Sequence, residues 1–219
     1  MKNLIILGAG DFAREIYNYI TTQKNKKRIR FKGFLDCNSK TLVKFRLNNL
    51  YLGNEDKYKF SKNDLLLIAI ADPNKRKKIY LKLKENKKIK FFNYIHETAI
   101  INKKTVKMGD GNIIGPNCVV THNINLGKFN ILNTMVSIGH DVEIKSFNTL
   151  SSHCDITGKV NIGSSNFFGS RVSVLPGAKI GNSNKFSSGS VVYKKLNNNK
   201  KSMNKGIFHG NPSKRIGNN

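Results

Sequence analysis

Apolar residues recur at every sixth position from Met108 to Val192: Met108, Ile114, Val120, Leu126, Leu132, Ile138, Ile144, Leu150, Ile156, Ile162, Phe168, Val174, Ile180, Phe186 and Val192. In a chain that is 38% hydrophobic, fifteen unbroken matches are not a chance event. Many are followed by glycine: Gly109, Gly115, Gly127, Gly139, Gly163, Gly169 and Gly181. Four places after the apolar residue stands a small or slim one, among them Cys118, Val136, Cys154, Val160 and Ala178, or an asparagine. A fixed short period marks a solenoid. Six residues make one short strand and one corner, and three such flats make a triangular coil of eighteen. The fifteen repeats therefore predict about five coils, with the large side chain inside the prism and the small one packed beside it. Glycine after the aliphatic predicts corner conformations that are sterically costly for other residues.

Before the repeats the pattern changes. Residues 2–7 read as a short hydrophobic strand, followed by Gly8-Ala9-Gly10-Asp11-Phe12-Ala13 and a helix over 14–22. This is strand, glycine-rich turn and helix with G-x-G-x-x-A spacing. Such a turn lets a ligand approach the backbone, and the helix N-terminus offers N–H groups to phosphate. A second strand over 31–35 ends at Asp36, placed to accept hydrogen bonds from a nucleotide. A third strand over 65–71 is aliphatic throughout, as a strand buried on both faces is. It ends at Asp72-Pro73, and a helix over 74–85 and a strand over 91–95 follow. The order predicts a small parallel sheet, too short for a complete dinucleotide fold but sufficient for one nucleotide half. The domains are read as 1–95, an α/β nucleotide-sugar-binding domain, and 96–219, the solenoid with its tail. The period ends after Val192, and the stretch over 196–205 is polar.

Composition changes this picture little. The formal net charge is +26, which alone suggests nucleic acid or an anionic membrane. Lysine is spread along the whole chain beside abundant asparagine, as a compositional bias of exposed positions produces. No aromatic-studded basic motif is present, so no nucleic-acid partner is expected. The charge favours phosphorylated ligands. No apolar run reaches 18 residues, so no membrane span is expected. The first apolar run is five residues and ends in a glycine-rich turn. It is read as a buried strand rather than a signal peptide, in a cytoplasmic protein. Cys118 and Cys154 stand two coils apart on one flat, about 10 Å at the spacing of stacked strands, too far to bridge.

Five histidines remain, and no histidine, cysteine and acid cluster has zinc spacing, so no metal is expected. His96 and His209 read as structural or surface residues. His122 and His140 differ by eighteen, one coil, and stack on one corner, with Gly158 and Pro176 next in the column. His140 is followed by Asp141. That arrangement suits acyl transfer. Histidine can take a proton from an attacking amine or hydroxyl. A carboxylate can fix its tautomer. A glycine in the next coil leaves room for a thioester and turns an N–H toward its carbonyl oxygen.

The repeats resemble those of the hexapeptide-repeat transferases, whose coils form a left-handed parallel β-helix. The whole chain is similar to nucleotide-sugar acyltransferases of the sialic acid O-acetyltransferase and bacillosamine N-acetyltransferase type. The carriers are Gly8-Ala9-Gly10, Phe34-Leu35-Asp36, residues 68–72, Asn133, Ile138-Gly139-His140-Asp141, the repeats and Gly210-Asn211-Pro212. The resemblance implies a homotrimer with active sites between neighbouring β-helices. It implies a nucleotide sugar on the N-terminal domain and acetyl-CoA on the β-helix. His140 takes the place of the general base, Asp141 of the adjacent acid, and Asn133 of a residue near the base. Gly158 would face the thioester. Gly210, Asn211 and Pro212 fall in a motif common in acetyl-CoA-dependent relatives. Gly8, Gly10, Asp11, Phe12, Asp36 and Asp72 are the candidate substrate contacts. Two positions depart from the pattern. Many relatives carry Gly-His at Asp11-Phe12, and some carry a second histidine near the cofactor where Thr149 stands.

The activity expected is acetyl-CoA-dependent N-acetylation of a nucleotide-linked amino sugar, a UDP- or dTDP-4-amino-4,6-dideoxyhexose, for a surface glycan. The rival within the class is O-acetylation of sialic acid or a similar sugar. From other classes, a nicotinamide-dependent oxidoreductase would leave the β-helix without a role. A non-catalytic β-helix binding module would show ladders of threonine or serine where lysine, asparagine and aspartate stand.

Overall fold

The computed structural model describes residues 1–23, 29–194 and 204–219; most of the polar stretch over 196–205 lies outside them. Contacts divide the chain into two units, Met1–Ala71 with Lys75–Asn93, and Asp72–Asn74 with Tyr94–Asn219.

The first unit is a four-stranded parallel sheet in the order β2-β1-β3-β4. Its strands are β1 (Lys2–Leu7), β2 (Ile29–Leu35), β3 (Asp64–Ile68) and β4 (Lys90–Phe91). The helices are α1 (Asp11–Thr22), the single turn α2 (Lys40–Val43) and α3 (Pro73–Leu83). The central β1 is buried from Leu4 to Leu7, as its unbroken apolar run requires. Helix α1 turns Ala13 and Ile16 inward, and Tyr17 packs on Phe31 and Phe34 at ring separations of 4.7 and 5.4 Å. Asp64 is buried at the start of β3. Burial opposes its charge, but the Ser61 N–H, Asn3 and Lys32 donate to it and hold its carboxyl below the usual range. Because β1 leads to β2 on one side and lies beside β3 on the other, the order reverses at the carboxyl ends of β1 and β3. This is where open α/β sheets bind ligands.

The second unit is a parallel β-helix of the left-handed class, with three flats. Flat I holds Tyr94–Ile95, Ile113–Ile114, Ile131–Leu132, Thr149–Leu150, Phe167–Phe168 and Lys185–Phe186, then Gly206–His209 and the antiparallel Lys214–Asn218. Flat II has six strands, from Ile100–Ile101 to Val191–Val192, and flat III has five, from Val106–Met108 to Lys179–Ile180. The core is the sixth-position column itself. Ile114, Leu132, Leu150, Ile156, Phe168 and Val192 are all at most 1% exposed, each stabilising the fold by about 1.5–3 kcal/mol. Phe168, Phe186 and Phe208 stack at 4.9 and 5.0 Å near the C-terminal end of the prism.

Three expectations need correction. The strand expected over 91–95 is two strands: Lys90–Phe91 closes the α/β sheet, and Tyr94–Ile95 opens the β-helix. The solenoid has six coils rather than five, because a coil precedes Met108 out of phase. Ile95 pairs with Ile114 and Ile101 with Val120, nineteen residues apart, so counting back by sixes lands on Asn102 and misses them. The corner glycines are also there for another reason. The left-handed backbone falls two places later, on Asn117, Asn123, Phe129, Met135, Asp141 and their equivalents, with φ of 54 to 65°. Glycine follows the aliphatic because the next coil lies against it. A Cβ at Gly127 would stand 2.8 Å from the Lys145 carbonyl carbon, and one at Gly139 2.9 Å from the Gly158 nitrogen.

Candidate active site

The corner between flats II and III carries His140. Ile138 and Val142 are buried on either side of it, so the residues between them are turned outward. Two inter-coil backbone bonds hold the turn, Asp141 N–H to the His122 carbonyl at 3.3 Å and Lys159 N–H to the His140 carbonyl at 2.9 Å. Asp141 adopts φ 59°, a left-handed conformation that aspartate tolerates better than most residues. This brings its Oδ2 to 2.8 Å from His140 Nδ1. The other oxygen, Oδ1, accepts from Asn123 Nδ2 at 2.5 Å. The Asn123 bond first, and His140 second, hold the Asp141 carboxyl below the usual range. An ionised carboxylate only accepts, so Nδ1 carries a proton, and in the neutral ring the lone pair falls to Nε2. The side chains are 50% and 38% exposed, so the pair is open to a ligand.

Nε2 lies over Gly158. A Cβ there would stand 2.6 Å from Nε2 and 2.7 Å from Cε1, so only glycine leaves the ring its place. The Gly158 carbonyl accepts from the Gly177 N–H at 3.0 Å, while its own N–H has no partner among the described residues. Below, the His122 ring stacks on His140 at 5.7 Å and 15° between planes. A free N–H, the second imidazole nitrogen and the ring's carboxylate partner thus share one corner. Gly139 and Gly158, back to back, keep it clear of side chains.

The structure brings together His140, Asp141 and Gly158 of the expected residues. Asn133 stands on another corner, between flats I and II. Its Oδ1 accepts from the Thr134 N–H at 2.8 Å, and its carbonyl from Cys118 Sγ at 2.9 Å. Thr149 lies on flat I between Ile131 and Phe167 and is buried, at 3% exposure. Neither shares the His140 corner. The Gly210-Asn211-Pro212 turn joins the last two strands of flat I, Gly206–His209 and Lys214–Asn218, and caps flat II. The Gly210 carbonyl accepts from Val191 N–H at 3.0 Å, and Asn211 Oδ1 accepts from Tyr193 OH at 3.2 Å. Tyr193 stands in the column of Gly139, three coils further on, about 14 Å along the axis. Sequence reasoning missed Asn123 as a contributor. The signal was present, because the eighteen-residue period puts Asn123 beneath Asp141.

Both internal cysteines are poor nucleophiles. Burial pushes the Cys118 thiol up to about 11 and Cys154 up to about 12, so both are thiols at neutral pH. Among the described residues no group of three or more histidines, cysteines and acids is placed to hold a metal ion, and no helix is long and apolar enough to cross a membrane.

In the first unit the glycine-rich turn occupies the carboxyl edge at β1. Gly8 has φ +107°, and a Cβ there would meet the Ala69 carbonyl oxygen at 3.1 Å. Gly10 caps α1 without a side chain, with open space where a Cβ would be. The helix begins at Asp11, earlier than expected. Asp36 secures this turn: Oδ2 accepts from Ala9 N–H at 2.7 Å and Oδ1 from Asn38 N–H at 2.8 Å. Its carboxylate thus shapes the turn and retains further acceptor positions. Asp11 is fully outward and paired with Arg14, whose guanidinium lies 3.3 Å from the Phe45 ring centroid. Phe12 is half-buried in the first turn of α1. Asp72 is exposed and falls in the second unit.

Residues 3–83 match the family model of the PglD N-terminal domain. Curated protein sequences return no match. Solved structures match over both units. A variant of perosamine N-acetyltransferase from Caulobacter crescentus, in complex with CoA and GDP-perosamine, aligns with a TM-score of 0.83 at 20% identity, covering 100% of this chain and 98% of that one. The acetyltransferase domain of PglB from Neisseria gonorrhoeae aligns at 0.80 and 19% identity, covering 99% and 100%. WeeI from Acinetobacter baumannii aligns at 0.79 and 21% identity, again covering 99% and 100%. These likenesses establish the two-part fold.

Proposed function

We propose that this protein is an acetyl-CoA-dependent N-acetyltransferase acting on the amino group of a nucleotide-linked amino sugar. The observation that carries the reading is the His140 corner, with Nδ1 committed to Asp141 and Nε2 open beside the free Gly158 N–H. The fold is shared with proteins named as sugar N-acetyltransferases, one of them solved with CoA and GDP-perosamine. The substrate class proposed is a nucleotide-linked 4-amino-4,6-dideoxyhexose, with UDP or dTDP as the nucleotide, in a cytoplasmic step of surface-glycan synthesis.

In the reaction, the sugar nitrogen attacks the thioester carbonyl carbon as His140 Nε2 removes its proton. Asp141 stabilises the imidazolium that forms. The Gly158 N–H donates to the oxyanion. Collapse breaks the C–S bond, and the departing thiolate takes a proton from the imidazolium, leaving the amide and free CoA. No acyl-enzyme is needed. Thr149 and the Gly210-Asn211-Pro212 turn are assigned to the acetyl-CoA side of the site, and Asn133 to the catalytic residues near the base. Asn133 and Thr149 stand away from the His140 corner within one chain, and a homotrimer would let a neighbouring β-helix supply such residues. Light scattering should give three chains; a monomer at micromolar concentration would remove that arrangement.

The deciding experiment is a panel of nucleotide amino sugars incubated with acetyl-CoA, following thiol release and the product mass. Release that depends on a free amine, with an amide product, is expected. An ester product would favour the O-acetyl reading, and no thiol release with any sugar would reject transfer. Asp36→Ala frees the Ala9 N–H and loosens the glycine-rich turn. It should raise KM for the nucleotide sugar by roughly ten-fold, the loss of a charge-assisted hydrogen bond, and leave acetyl-CoA affinity unchanged. Equal losses for both ligands in calorimetry would reject the assignment of the two ligands to separate domains.

A further inference from the structure

We propose that Asn123 is a positioning residue for the reaction: standing one coil beneath Asp141, it clamps one carboxylate oxygen so that the other stays on His140 Nδ1. The inference rests on the reading of His140 as general base and adds the residue that keeps the base in its working tautomer.

Three observations carry it. First, the Asn123 amide reaches Asp141 Oδ1 at 2.5 Å while Oδ2 meets His140 Nδ1 at 2.8 Å, so the three side chains form one continuous chain across two coils. Second, Asn123 and Asp141 occupy the same corner position with φ of 58 and 59°. Their side chains leave parallel backbones one strand spacing apart, which sets the reach of the amide. Third, Asp141 is half-exposed, on a corner whose neighbours are glycines and histidines. Nothing else among the described residues is shown to hold its Oδ1. A half-exposed carboxylate with one partner exchanges its two oxygens and other rotamers freely. With the second oxygen clamped, rotation costs two hydrogen bonds instead of one. Solvent competes less well for the histidine proton, and the lone pair at Nε2 stays directed over Gly158.

The charged and titratable residues of this corner are Asp141 beside His140, His122 beneath, and Lys159, which follows Gly158 in the coil above and whose backbone N–H bonds the His140 carbonyl. Their balance gives opposite signs for two substitutions. Asn123→Gly removes the clamp and tolerates the left-handed backbone. The imidazolium is then less well supported, so the rising limb of the pH–rate profile moves to lower pH while kcat falls. Asn123→Asp also tolerates that backbone, but sets a second carboxylate beside Asp141. It favours the imidazolium, so the limb moves to higher pH.

The test uses the full-length protein, with acetyl-CoA and the amino sugar that the panel identifies. Thermal melting of each variant controls for folding. Expected are a kcat lowered roughly ten-fold in Asn123→Gly, the size of effect seen when an orienting partner of a histidine is lost, and an unchanged KM for acetyl-CoA. The two variants should shift the limb in opposite directions, Asn123→Asp by about one pH unit upward. Wild-type kcat and an unmoved limb in Asn123→Gly would overturn the proposal. So would equal losses in both variants with neither limb moved, which is the signature of a purely structural role. His140→Ala separates the two levels. If it retains turnover, the general-base reading falls and this one with it. If it is inactive while the Asn123 variants behave as wild type, only the positioning role falls.

Discussion

Two corners of the β-helix have the same backbone and opposite uses. Between flats III and I, Asn112, Asn130, Asn148, Asn166 and Asn184 form a buried column. Each side-chain oxygen accepts the N–H of the asparagine one coil above, at 2.8 to 2.9 Å, and Asn184 does the same for Gly206 at 3.0 Å. Two positions earlier, Ser146, Ser164 and Asn182 accept backbone N–H bonds from the coil below. Between flats II and III, the column equivalent to the asparagines is Ile124, Val142, Val160 and Ala178, all buried. The column equivalent to the serines is His122, His140, Gly158 and Pro176. The first corner takes up every asparagine side-chain oxygen of the column in a ladder of bonds between coils, leaving the Asn130 Nδ2 as its one buried unpaired amide nitrogen among the described residues. The second holds itself by apolar packing and leaves a histidine, a carboxylate and an N–H facing outward. A repeat this regular becomes a site where its polar groups are not taken up by the ladder.

The comparison predicts that the two corners fail differently. The largest effect belongs to His140→Ala. Loss of a general base costs about 10²–10⁴ in rate, with stability nearly unchanged because the side chain is half-exposed. Turnover near wild type would place the chemistry elsewhere. Next is Gly158→Ala, whose methyl group would stand 2.6 Å from Nε2. The ring must swing away, and kcat should fall on the order of 10²-fold, as loss of a proton acceptor does. A variant with normal kcat would mean that the ring does not work in the position described.

Asn148→Ala should show the reverse behaviour. The substitution removes the side chain that bonds the Lys145 and Gly163 carbonyls and the Asn166 N–H. Burying such groups unpaired costs about 1–3 kcal/mol each, so urea denaturation should reveal a loss of roughly 3 kcal/mol or more, with kcat per folded molecule unchanged. A fall in kcat at temperatures where the variant is folded would show that the corners are coupled. The smallest effect is expected for His122→Ala. Asn123 follows His122 where Asp141 follows His140, so His122 has no carboxylate of its own. Steady-state kinetics should show less than about a five-fold loss, below the range for a general base. A larger loss than His140→Ala would exchange their roles.

Much of the second unit was legible because a coil of eighteen residues is a translation along one axis. Any two positions eighteen apart must stack, so counting alone places His122, His140 and Gly158 in one column. The same arithmetic failed at the first coil, where nineteen residues separate Ile101 from Val120 and the phase slips. It also misassigned the corner glycines, because a period reports which residues are neighbours and not how closely their backbones approach. In the first unit, the apolar runs and the glycine-rich turn identified the parallel sheet. The Asp36 bonds to Ala9 and Asn38 depend on the path of the chain after β2, which no pattern encodes.

By itself, then, the sequence determined the architecture: a period of six with apolar occupants can bury its large side chains only by coiling. It also determined which residues share the His140 corner, since stacking follows from counting. The tertiary structure alone decided the finer points. Asn133 and Thr149 stand away from that corner. Asn123 reaches across a coil to Asp141, and the imidazole Nε2 lies over Gly158. These depend on side-chain torsions and separations of a few tenths of an ångström. Hydrogen bonds are sensitive to both, whereas the burial of apolar area that shapes the repeat is nearly indifferent to them.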